Sequence, residues 1–195
     1  MWVDLSLPVG PGVRVFPGDP EFSARTLPGD GPRVTELTLG SHTGTHVDAP
    51  VHVDPGGPAL DELPLDLFAG PADVVDVRGA TAIGPELLTG VGERIVLLRT
   101  GSADAHLTVE AARALRAAGV RTVGTDAPSV DAPGTLAAHR VLLGTRQDPG
   151  VVVENLVNLA ALPARVEFFA FGWALSGGDG SPVRAVARVP GATGR

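Results

Sequence analysis

The sequence predicts a mixed α/β fold, and three observations carry that expectation. Short runs rich in Val, Ile and Leu recur at residues 73–77, 94–100, 120–125 and 151–159, the composition of buried strands. Residues 108–118 have helical periodicity instead. The chain also carries 26 Gly and 18 Pro, just under a disordered composition, which read as tight turns between short elements. At 195 residues the chain is expected to be one domain, 1–195, long enough to bury a substantial core.

Taken in order, residues 2–7 alternate as a strand, with Trp2, Asp4 and Ser6 opposite Val3, Leu5 and Leu7. A Pro- and Gly-rich loop follows and ends in Phe16-Pro17-Gly18-Asp19-Pro20, where Pro-Gly marks a turn. Residues 34–39 read as a strand leading into a histidine-rich stretch. Beyond it, 54–58 is a loop, 63–68 a short apolar piece, and 85–88 a short helical turn between the strands at 73–77 and 94–100. In the helix at 108–118, Thr108 can cap the start, Glu110 suits the positive end and Gly119 stops it. Val109, Ala112 and Leu115 share its buried face. The strand at 120–125 runs into Asp126-Ala127-Pro128-Ser129-Val130-Asp131, and residues 164–175 and 182–189 complete a strand-rich C-terminal half.

Bulk properties exclude several functions. A net charge of −7 without a basic run argues against nucleic acid. With no cysteine there is no disulfide framework, thiol nucleophile or thiolate metal site. Met1-Trp2-Val3-Asp4 has neither the basic nor the apolar region of a secretory signal, and no apolar run reaches membrane-spanning length. The expectation is a cytoplasmic enzyme with a small-molecule substrate and no nucleic-acid or membrane partner.

The chemistry concentrates in Ser41-His42-Thr43-Gly44-Thr45-His46-Val47-Asp48-Ala49-Pro50-Val51-His52, which holds three of the five histidines. Thr43, Gly44, Thr45, Val47 and Pro50 resist a helix. As a strand, the stretch would place His42, Gly44, His46 and Asp48 on one face. Two imidazoles and a carboxylate are a common shell for a catalytic divalent metal. The alternative is a polar turn with incidental histidines. Farther on, Glu154 lies in an apolar run, where a carboxylate is costly to bury unless it is paired or binds a metal. His139 and Glu154 are the remaining candidates for a metal site, the alternatives being a partly exposed helix residue and a solvent-facing strand residue, and His106 reads as a surface residue.

The pattern His-Thr-Gly-Thr-His-Val-Asp-Ala-Pro-Val-His resembles the signature of the cyclase family of metal-dependent hydrolases, which includes bacterial kynurenine formamidases. The likeness extends nearly end to end, through Arg99-Thr100-Gly101, the 126–131 loop, Ala138-His139-Arg140, Glu154-Asn155 and Ser181-Pro182-Val183-Arg184. It implies a single strand-rich α/β domain of the swivelling β/β/α type, often dimeric with sites near the interface. It implies metal ligands at His42, His46 and Asp48, a second half-site at His139 and Glu154, and a proton-transferring catalyst at His52. One or two zinc ions per chain are expected, with manganese as the alternative suited to the oxygen ligands. Phe16 matches a pocket aromatic that is often Trp in the formamidases, and Glu154-Asn155 stands where those enzymes more often have Glu-Gly. The acids and Ser129 of the 126–131 loop are either ligand-orienting groups or turn-formers.

The reaction implied is metal-assisted hydrolysis of a small amide, N-formyl-kynurenine to kynurenine and formate, with His52 delivering a proton to the leaving amine. Without cysteine or a Gly-x-Ser-x-Gly stretch, a covalent hydrolase is disfavoured. The alternatives are opening of a cyclic amide or lactone, as isatin hydrolases do, or a metal- or ligand-binding module without turnover.

Overall fold

The Val/Ile/Leu runs form the middle of a nine-stranded sheet. The computed structural model describes residues 1–191. Its N-terminal part contains β1 (Trp2–Asp4), β2 (Ser23–Thr26), β3 (Thr35–Thr38) and β4 (His46–Asp48). Next come β5 (Ala69–Asp76), β6 (Ala82–Ile83), β7 (Ile95–Arg99) and β8 (His106–Leu107). Helix α1 (Val109–Ala117), β9 (Thr122–Thr125), helix α2 (Ala137–Leu143) and β10 (Val151–Glu154) follow. The chain then forms β11 (Arg165–Phe169), β12 (Gly180–Pro182) and β13 (Val186–Arg188).

The large sheet has the order β1-β13-β11-β5-β7-β9-β10-β4-β12. Its centre, β5-β7-β9-β10, is parallel, whereas β11, β13 and β1 on one side and β4 and β12 on the other are antiparallel. The central strands carry near-continuous apolar runs, as at Ile95–Leu98 and Val151–Val153, the pattern of parallel strands covered on both faces. Their two-residue period divides the core. Ile95, Leu97, Val151 and Val153 face one cluster with Phe168 and Val47, while Val96, Leu98 and Val152 face another with Leu115 and Leu142 of the helices. The first cluster joins β4 to β13 through Val47 and Ala187, so the sheet curls around it. Leu5 closes the curl by donating its N–H to Ala185 and accepting from Val157.

Helix α1 begins where the cap residue predicts: Thr108 Oγ1 accepts from the Ala111 N–H at 3.1 Å. Gly119, with φ +91°, ends it. No helix of the described residues is long and apolar enough to cross a membrane.

Several expected boundaries shift. The strand expected at 34–39 is β3, but it pairs with β2 in a separate hairpin, exposed at every position. The alternation over residues 2–7 yields a strand only at Trp2–Asp4, with an isolated bridge from Ser6 to Leu156 beyond it and Leu5 buried in the core. The run 164–175 pairs only to Phe169, and 182–189 is split between β12 and β13. The helical turn at 85–88 is a 3-10 turn, Pro85–Leu87.

Candidate metal centre

The histidine stretch is not one long strand. Gly44 adopts φ +68°, a left-handed conformation that glycine takes without steric cost, and the chain becomes strand only at His46. The expected common face therefore holds for His46 and Asp48 alone. Val47 between them turns into the core. His42 reaches the same place from the preceding turn, and His52 from a 3-10 turn, Pro50–His52, that Pro50 begins.

Strand register brings in the second half. On β10, Glu154 lies directly opposite His46, and Val152 opposite Asp48. Glu154 shares the parity of Val152, which faces the helices, and α2 lays His139 over that face. His139 and Glu154 are both buried, which sets aside the exposed alternative for each.

Asp48 and Glu154 occupy the middle. His46 Nε2 lies 3.4 Å from Asp48 Oδ1 and 3.6 Å from Glu154 Oε2. On the other side, His139 Nε2 lies 3.5 Å from Asp48 Oδ2 and 3.2 Å from Glu154 Oε1. His42 Nδ1 is 2.7 Å from Asp48 Oδ1. Ligand atoms of His46, Asp48 and Glu154 all fall within 4.8 Å of one another, and so do those of His42, Asp48 and His52.

Two of these imidazoles are pinned from behind. His46 Nδ1 lies 2.9 Å from the Gly44 carbonyl, which can only accept, so Nδ1 carries the proton and Nε2 presents its lone pair. His139 Nδ1 donates to Asp131 at 2.7 Å, again turning Nε2 toward the carboxylates. Each Nε2 therefore faces the carboxylates either as a proton donor of the charged ring or, with a cation between them, as a ligand. Asp48 Oδ2 is buried without a hydrogen-bond partner among the described residues. An orphaned carboxylate oxygen is costly in a protein interior, and a metal ion satisfies it. The donor set of imidazole nitrogen and carboxylate oxygen fits a divalent cation.

The charges around the site are strongly perturbed. Burial raises the Asp48 pKa, but His46, His139 and His42 more than offset it and hold the carboxyl well below its usual range. Burial likewise opposes a charged His139, yet Asp131, Asp48 and Glu154 bring its pKa well above the ordinary value. For His42 the same contest, burial against Asp48 and Asp179, ends with a pKa raised to about 9.

The 126–131 loop divides its labour. Asp126 accepts from the N–H groups of Thr100 and Gly101 and serves the turn. Asp131 takes the Ala138 and His139 N–H groups and the His139 ring, so it is both turn-former and ligand-orienting group. Ser129 Oγ accepts from the Asp131 N–H. Asn155 explains the departure from Glu-Gly: its φ is +58°, a region that glycine or asparagine tolerates best. Its Nδ2 also donates to the Gly44 carbonyl, the acceptor that orients His46.

Phe16 stands apart, with its ring 75% exposed. Its loop approaches the motif elsewhere, with Pro20 next to Gly40 and Val9 and Val13 next to Gly44. His106 belongs to the short β8 and contacts the Asp104 carbonyl.

Sequence reading missed Asp179. Its Oδ2 lies 3.0 Å from His42 Nε2 and 3.6 Å from His52 Nδ1. The available signal was a lone acid in Gly177-Gly178-Asp179-Gly180, two residues before Ser181.

The family model described as putative cyclase matches residues 3–132. A kynurenine formamidase from Salinibacter ruber (strain DSM 13855 / M31) is 42% identical, covering 95% of this chain and 96% of its own. Isatin hydrolase A from Labrenzia aggregata, solved bound to benzyl benzoate, superposes with a TM-score of 0.83 at 26% identity, over 97% of this chain and 93% of that one. A potential metal-dependent hydrolase with cyclase activity superposes with a TM-score of 0.84 at 25% identity, over 97% and 99%.

Proposed function

Since the chain belongs to the cyclase family, we propose that it is a metal-dependent amide hydrolase cleaving N-formyl-kynurenine or a closely related aryl formamide. The observation that carries this reading is the paired carboxylate centre, with Asp48 and Glu154 each turning one oxygen to His46 and the other to His139. His42, His46 and Asp48 would hold one divalent cation, and Asp48, His139 and Glu154 a second. Four carboxylates, Asp48, Glu154, Asp131 and Asp179, surround the site, which suits two divalent charges. Zinc is the first choice from the imidazoles, with manganese as the alternative. A cation bound there supplies Lewis acidity, polarising a carbonyl and lowering the pKa of an adjacent water.

The chain's own residues do the rest. The His52 side chain is 28% exposed and Asp179 46%, against buried ligands, so substrate enters from their side. An imidazole takes up and releases a proton near neutral pH, which suits His52 to protonating the departing amine. The family resemblance alone supports Phe16 as an aromatic wall for an aryl leaving group, since its side chain is exposed and apart from the cluster. An aniline-type nitrogen also needs less protonation to leave than an alkyl amine. Identity of 42% to a formamidase, against 26% to an isatin hydrolase, favours the linear formamide over a cyclic amide. We further propose a cytoplasmic homodimer. Its support is the hairpin β2–β3, exposed at every position, and the half-exposed Phe171 and Trp173.

The test offers N-formyl-kynurenine, a simple aryl formamide, isatin and a small lactone to zinc- and manganese-loaded protein, and again after chelation. Comparable turnover of both formamides, abolished by chelation, is expected. Turnover of isatin or the lactone alone would reject the formamide while leaving a metal hydrolase. Full activity after complete metal removal would reject the mechanism.

A further inference from the structure

The Gly-Gly-Asp-Gly segment leads into β12, whose first residue, Gly180, pairs with Asp48 of β4. Its position is held by the backbone: Ala49 N–H donates to the Asp179 carbonyl, Leu60 N–H to that of Gly178, and Gly177 N–H to Asp61. The glycine after the acid has a steric reason. A Cβ on Gly180 would stand 2.7 Å from His42 Cε1 and 2.8 Å from the Val47 carbonyl, so only glycine lets the imidazole lie against this strand. The segment thus brings a carboxylate to the outer edge of His42.

That edge is shared. The His42 and His52 rings lie 4.2 Å apart between centroids, tilted by 44°, and both turn a nitrogen toward Asp179 Oδ2. With His42 Nε2 directed at Asp179, its Nδ1 is the nitrogen directed at Asp48. With His52 Nδ1 directed at Asp179, its Nε2 is the free nitrogen. A histidine commits one ring nitrogen to an acceptor in order to present the other.

We infer that Asp179 is a positioning residue that orients two imidazoles with one carboxylate, the metal-binding His42 and the proton-carrying His52. The inference rests on the hydrolase reading above. It makes the orientation of a metal-binding ring and of a proton-carrying ring depend on one side chain that itself neither holds metal nor touches the scissile bond. The two histidines are then coupled, because His42 is within hydrogen-bond distance of the carboxylate that His52 faces at 3.6 Å.

The experiment compares wild type, Asp179→Asn and Asp179→Ala at saturating zinc. Asparagine keeps a carbonyl oxygen that can accept from His42 and face His52, whereas alanine keeps nothing. Asp179→Ala is expected to lose about 10–100-fold in kcat, with KM changed by less than about threefold and zinc stoichiometry intact, and Asp179→Asn to recover most of the loss. A readout independent of turnover is the ring tautomer of His52, followed by long-range nitrogen–proton NMR. The Nδ1–H form is expected in wild type and Asp179→Asn, and its loss in Asp179→Ala. Unchanged kcat and an unchanged His52 tautomer in Asp179→Ala would overturn the inference. A wild type that hydrolyses no substrate, yet loses the tautomer on Asp179→Ala, would reject the hydrolase reading and leave the positioning role standing.

Discussion

Replacing Asp131 with asparagine changes one atom and should disable half of the metal centre. Asp131 Oδ1 accepts from the Ala138 N–H at 2.8 Å, and Oδ2 from the His139 N–H at 2.9 Å and the His139 ring at 2.7 Å. All three partners are donors, and an amide offers only one acceptor atom. If the amide oxygen takes the Oδ2 position, its NH2 confronts the Ala138 N–H. If it takes the Oδ1 position, its NH2 confronts the other backbone donor and forces His139 Nδ1 to accept. The ring proton then moves to Nε2, where it blocks the lone pair needed by a cation. The same substitution beneath a catalytic histidine is known to trap the wrong tautomer. Loss of such a ligand-orienting partner costs about 10–100-fold in metal affinity, roughly 1.4–2.7 kcal/mol. The assay is zinc titration against a chromophoric chelator, resolving the two binding steps. One step should weaken and the other remain within about twofold. Two unchanged steps would refute the claim that Asp131 sets the His139 tautomer.

Other outcomes follow from the same geometry. His46→Ala should remove both metal and activity, whereas His52→Ala should keep most of the metal and lose on the order of 10² to 10⁴ in turnover. Loss of metal in His52→Ala, restored by excess zinc, would make His52 a ligand instead, beside His42 and Asp48. Phe16→Ala should raise KM for an aryl formamide and leave kcat unchanged, and the reverse pattern would remove Phe16 from binding. Away from the site, burial raises the Asp73 pKa, but the Gly92 and Glu93 N–H groups and Arg165 more than offset it and lower it overall. Its stabilising contribution is therefore complete above about pH 4 and lost as pH falls through the lowered folded value. Asp73→Asn should cost about 1–3 kcal/mol at neutral pH, measured by urea unfolding, with the gap to wild type closing as pH falls through the lowered folded value.

The central sheet was legible because burial on two faces leaves a plain record of unbroken Val, Ile and Leu, as at 95–98 and 151–153. Helix α1 was legible through Thr108 and Gly119. Of the hairpin β2–β3 only β3 was legible; β2 was not, since it meets solvent throughout and Ser23, Arg25 and Thr26 carry no apolar alternation. In the site, the residue types and spacing of the histidine stretch pointed to metal chemistry. They did not reveal that Gly44 breaks the strand, which is a backbone property that glycine permits but does not announce. Asp131 was open between two roles because a turn-forming aspartate and a histidine-orienting one look alike until the helix bearing His139 is placed. Asp179 was silent for a related reason: it meets His42 only through the β4–β12 pairing, and strand order is not written in local pattern.

The position of β4 has a consequence for biosynthesis. This strand lies between β10 and β12, so residues 46–48 find their backbone partners only at 152–154 and 180–182. During synthesis the histidine stretch emerges early and must wait for most of the chain before it can pair. Contacts so remote in sequence are slow to close. A chain stopped short of β12 would keep every nitrogen and oxygen proposed to hold metal, yet lack Asp179 and one whole side of the strand that carries them. The complete centre is thus among the last things the folding protein makes, and metal captured by a nascent chain would find only the His42, His46 and Asp48 half of its site.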